Sequence, residues 1–131
     1  MTPAQRRQRL VQIGQSLPEV TISGNQHLAF RVRNKTLAYY QNDHHGDGMV
    51  SLVCKAMPGA QELAVSHDPT RFFVPGYLGT RGWLGLRLDL RTVNWRQIEA
   101  LLVTAYRLTA AKALVALLPR NRGGDGVFSI L

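Results

Sequence analysis

Eight consecutive residues, WLGLRLDL at positions 83–90, alternate without a break. Leu84, Leu86, Leu88 and Leu90 fall on one side, and Trp83, Gly85, Arg87 and Asp89 on the other. A period of two held this long belongs to a β-strand with one face inward and one outward. Such a strand cannot stand alone, because its leucine face needs a second layer over it.

The rest of the chain offers both partners and cover. Residues 20–57 read as strands. In LAFRVRN, Leu28, Phe30 and Val32 alternate with Arg31 and Arg33. Asn34 and Lys35 are the turn candidates, after which TLAYYQN runs back. A second turn, DHHGDG at 43–48, leads into MVSLVCKAM, where Val53 and Lys55 face away from Leu52 and Cys54. RFFV, at 71–74, is a further short strand before the breakers Pro75, Gly76, Gly79 and Gly82.

Helical signals frame these strands. Thr2 suits an N-cap and Pro3 the first helical position. Leu10, Ile13 and Leu17 then share a face from which Arg6, Arg7 and Arg9 are largely excluded, and Pro18 ends the helix. AQELAVSHD is a short helix stopped before Pro69. A long last helix is capped at Thr92 or Asn94 and stopped by Pro119. The order α-β-β-β-α-β-β-α predicts an α+β fold: a two-layer domain over residues 1–118, with an antiparallel sheet of about five strands and helices on one face. Residues 119–131 read as a tail.

The 131 residues suit one core. The single cysteine, Cys54, excludes an internal disulfide and points to a reducing cytoplasm. The basic N-terminus has no apolar segment of a secretory signal, and no run approaches the ~18 apolar residues of a membrane span. The net charge of +8 favours a polyanionic partner. That charge is uneven: six Lys/Arg against one acid in residues 1–37, one against four in 38–68, and nine against three in 69–131.

The motifs carry little catalytic chemistry. Gly79, Gly82 and Gly85 recur at an interval of three, which fits no phosphate-loop spacing, and a strand follows them where a nucleotide loop needs a helix. A hairpin bend with Arg81 at its tip fits better, and Gly85 inside a strand marks a bulge or a close backbone approach. His44 and His45, between Asp43 and Asp47, read as a solvated turn rather than a metal site. Cys54 sits on the apolar side of its strand and reads as a small hydrophobe. With no paired carboxylates, nucleophile triad or cofactor fingerprint, the expectation is a protein without catalytic residues, metal or cofactor.

Taken in order, LPEV, AFRVRNKTLAYY, SLVCKAMPGAQELAV, YLGTRGWLGLRLD and LLVTAYRLTAAKAL make the chain resemble the MmcQ/YjbR family over about residues 17–118. The resemblance implies a two-layer fold similar to secretion chaperones, with a double wing suited to DNA. Where that family often has Asn-Lys-His-Trp, this chain has Thr80, Arg81, Gly82 and Trp83.

The expected interface combines both lines. Arg31, Arg33, Lys55 and Arg87 would share one sheet face, with Trp83 and Arg91 at its edges and Lys35 and Arg81 on the wing tips. Like charges on one face repel, and a polyanion would relieve that cost. The competing reading is a solvated face on which Glu19 or Asp89 pairs some of the cations. Double-stranded DNA is the expected ligand, read with low specificity because few Asn or Gln accompany the arginines. The alternative is a chaperone-like protein-interaction module. The last helix loses its periodicity at residues 110–118, so it is either buried all round or forms a homodimer contact.

Overall fold

A computed structural model describes residues 1–119. The proposed tail, bar Pro119, lies outside the described residues. The elements run α1 (Pro3–Gln15), β1 (Val20–Gly24), β2 (Leu28–Val32), β3 (Lys35–Asn42), β4 (Val50–Cys54), α2 (Ala60–His67), β5 (Phe72–Phe73), β6 (Leu84–Arg87), α3 (Trp95–Thr109) and α4 (Lys112–Val115). The architecture is α+β, with an open six-stranded sheet in the order β1-β2-β3-β4-β6-β5. Every neighbouring pair is antiparallel.

The first helix starts as its sequence dictates. Thr2 Oγ1 accepts the Gln5 N–H at 3.1 Å and Gln5 Oε1 accepts the Thr2 N–H at 2.8 Å, a reciprocal capping box with Pro3 just inside. Asn94, not Thr92, caps α3, its Oδ1 accepting the Gln97 N–H at 3.1 Å. Helices α1 and α3 lie on one face of the sheet. Between the layers sit Leu10, Phe30, Leu37, Leu52, Leu84 and Ile98, all fully buried. Tyr106 joins them and donates its hydroxyl to the Pro18 carbonyl at 2.8 Å, fastening α3 to the chain entering β1.

Five details differ from the sequence expectation. The alternating run of residues 83–90 is strand only at Leu84–Arg87. There are six strands, because residues 20–24 form a strand of their own. β1 is an edge strand with only two core-facing residues, Val20 and Ile22, both half-buried. The hairpin turn is Arg33 and Asn34, one residue earlier than expected; their φ values of 46° and 68° match a type I′ turn, which needs both central residues at positive φ. The last helix breaks at Ala110 and Ala111, both extended (ψ 154° and 151°). Beyond that break Leu114 of α4 is buried in the core. Finally, Trp83, expected outward at an edge, is buried at 6% exposure.

Candidate nucleic-acid interface

Strand register decides which cations meet. Val32 pairs with Lys35, Cys54 with Leu84 and Phe73 with Gly85. The Arg33 and Asn34 turn, the chain leaving β4, and the loop of residues 74–83 between β5 and β6 therefore all lie at one end of the sheet. The loops of residues 25–27 and 43–49 lie at the opposite end, as does the exit from β6. The two hairpins of the first end, β2-β3 and β5-β6, are separated by three strand spacings in the sheet order, about 14 Å at about 4.8 Å each.

This end gathers Arg33, Lys35, Lys55, Arg81 and Trp83. Lys35 is the exposed first residue of β3. The Lys55 N–H donates to the Leu37 carbonyl at 3.1 Å, and its Nζ stands 5.9 Å from the centre of the Trp83 ring. Arg81 is exposed on a single 3₁₀ turn, Leu78–Arg81. That turn is fastened from beneath: Gln61 Nε2 donates to the Gly79 carbonyl at 2.9 Å and to the Trp83 carbonyl at 2.6 Å. Gly82 closes it at φ 81°, a left-handed conformation that suits glycine. Arg31 lies inward from this end, exposed on the sheet face opposite Thr36.

The expected four-cation face is not formed. Arg33 sits in the turn rather than on a strand, and its guanidinium meets both Glu19 carboxylate oxygens at 3.1 Å. That pair holds Glu19 below and Arg33 above its ordinary pKa, mainly through the hydrogen bonds between them. Arg87, at the opposite end, is paired with Asp89 at 3.0 and 3.1 Å. Burial works to raise the Asp89 pKa, but the Arg87 hydrogen bonds and the Val50 N–H outweigh it and keep the carboxyl low. Arg91 is exposed at that same end, beside a cavity of about 270 Å³. Glu19 and Asp89 thus take the roles of the competing reading. Arg31, Lys35, Lys55 and Arg81 have no ion pair among the described residues.

Other candidates find plain places. Burial pushes the Cys54 thiol up to about 12. His44 packs between His27 and His45, with ring centres at 5.2 and 4.0 Å. Among the described residues no group of three His, Cys, Asp or Glu side chains could hold a metal ion. Nor is any helix there long and apolar enough to cross a membrane.

Sequence reasoning gave no role to three residues that the structure places. Arg6 reaches from α1 to the carbonyls of Leu88, Leu90 and Arg91, binding the helix to the chain beyond β6. Phe73 lies over Gly85, whose missing Cβ would stand 2.5 Å from the ring; a glycine within a strand was the available signal. Tyr39, on β3, lies 6.0 Å from Trp83 with the rings inclined at 31°.

With this geometry in hand, the YjbR family model matches residues 15–108. The chain belongs to the YjbR family. Among solved structures, this YjbR protein is similar to a Deinococcus radiodurans protein of the DUF419 domain family. The two share 22% identity at a TM-score of 0.67, over 88% of this chain and 91% of that one. That likeness concerns the fold. No curated protein matches the chain.

Proposed function

We propose that this YjbR protein is a non-enzymatic DNA-binding protein that grips phosphates with the two-hairpin end of its sheet. One observation carries the reading: the strand order gathers Lys35, Lys55 and Arg81 at the same end, and none of them has an ion pair among the described residues. Arg31 extends the positive surface onto the sheet face. The hairpins' spacing of about 14 Å is comparable to the ~12 Å width of the duplex major groove. Phosphate contacts position a protein without reading sequence, so specificity is low. We place the protein in a reducing cytoplasm, on the strength of its single buried thiol.

The test is fluorescence anisotropy of a labelled duplex at several salt concentrations. With three to four phosphates engaged, log K should fall against log salt with a slope of about −3, at about −0.9 per phosphate. A Lys35→Ala/Lys55→Ala/Arg81→Ala variant should lose most of that slope. An Arg87→Ala/Arg91→Ala variant should keep it. Absence of wild-type binding at low salt would sink the proposal.

One observation favours a second role. Leu108 on α3 and Leu117 just beyond α4 are large apolar side chains 43% and 67% exposed, which a homodimer contact would cover. Light scattering behind size exclusion decides it: a dimer that Leu108→Glu/Leu117→Glu converts to monomer supports the contact.

A further inference from the structure

The sheet face opposite α1 and α3 departs from what an open antiparallel face should carry. Such a face is ordinarily polar. Here one cross-strand row runs Ala29, Tyr39, Val53, Gly85 and Phe73 through five of the six strands, in direct register. No charged side chain interrupts it. Within the row Val53 is fully buried, while Tyr39 and Phe73 are only half-buried. Trp83 packs beside Tyr39, and Gly85 lets the Phe73 ring lie against the strand. Arg31 and Lys55 lie along the hairpin-end side of the row, neither with an ion pair among the described residues.

We infer that this face takes unpaired DNA bases, with Tyr39 as the stacking platform. The inference rests on the DNA-binding reading above and deepens it. Half-exposed rings offer a π-face, and only an unpaired base can answer with its own. Paired bases are stacked on both sides and present only their edges. Rings beside cations are the combination that holds a single strand, stacking the bases while the cations meet the backbone. The charges fit that occupant and oppose a basic one. The hairpin end supplies the phosphate grip, and the aromatic row adds a preference for strands whose bases are free.

The experiment compares a labelled single strand of about 15 nucleotides with a blunt duplex of equal length, at one salt concentration. The wild type should hold the single strand at least fivefold tighter. Tyr39→Leu, which keeps apolar bulk but removes the ring, should weaken single-strand binding about tenfold, within the range for one stacked base. Its duplex binding should stay within twofold, which also reports that the variant is folded. Tyr39→Phe should restore the single-strand preference. Equal affinities for the two DNAs, or equal losses on both from Tyr39→Leu, overturn the inference while leaving duplex binding intact. Binding of neither DNA overturns the DNA-binding reading and this inference with it.

Discussion

Arg33 shows how much one residue of register matters. The alternation of Arg31 and Arg33 invites the reading that both point outward from one strand. The turn begins a residue earlier, so Arg33 takes φ 46° and turns to Glu19. The pair is exposed on both sides, where ion pairs add little to stability. Its effect falls on charge at the proposed interface, because Glu19 occupies a guanidinium that would otherwise face phosphate. Glu19→Gln should therefore tighten duplex binding at low salt and steepen the salt slope by about 0.9, the increment for one more phosphate. An unchanged slope would mean that Arg33 takes no part. At Cys54 the sequence reading was sufficient. The thiol is buried and pushed up to about 12, so at pH 8 it should resist alkylation in the native protein and react once denaturant is added. Prompt reaction under native conditions would contradict that burial.

Among the elements, legibility followed how much of the local chain answers to burial alone. β2, β4 and β6 were readable because their apolar residues face one packed layer, with Leu28, Phe30, Leu52, Leu84 and Leu86 all buried. The edge strand β1 was less so, since only Val20 and Ile22 pack on the core and both stay half-buried. The break between α3 and α4 was hidden as well. Ala110 and Ala111 are good helix formers, and tertiary packing of Leu114 overrides their preference. The same contest between propensity and packing bears on Gly14 in α1. Alanine there gains about 1 kcal/mol of helix propensity. Its Cβ, however, would stand 2.5 Å from the ring of Phe30, which is fully buried and held in the core. Overpacking of that kind costs about 1–3 kcal/mol. Packing should outweigh the gain, so Gly14→Ala should leave the protein less stable than wild type in urea denaturation. A clear rise in the denaturation midpoint would show that Phe30 can move aside.

For the whole molecule, the proposed site depended on strand order, which no local pattern encodes. The sequence contains all eight named residues, but only the order β4-β6-β5 brings the second hairpin to the same end as the first and sends Arg87 and Arg91 to the other. That opposite end has a titratable element of its own. His27, His44 and His45 come from two loops and pack together near Asp47. Burial, then repulsion from His45 and His27, lowers the His44 pKa below its ordinary 6.5, with Asp47 opposing. The folded state thus binds this proton less readily than the unfolded chain does. Stability from this source is intact well above pH 6.5 and falls as pH drops through 6.5 toward the folded-state value, where the unfolded chain holds more protons. Acidification also adds charge to a chain already at +8, which reinforces the loss. The lowered carboxyls of Glu19, Asp68 and Asp89 contribute in the same direction, but mainly below the ordinary carboxylate range. Thermal unfolding at pH 7.5 and 5.5 therefore isolates the histidines. The melting temperature should drop at pH 5.5, and His44→Asn should shrink that drop. A variant whose drop equals that of the wild type would show that His44 keeps its ordinary proton affinity and that the two loops are not coupled through it.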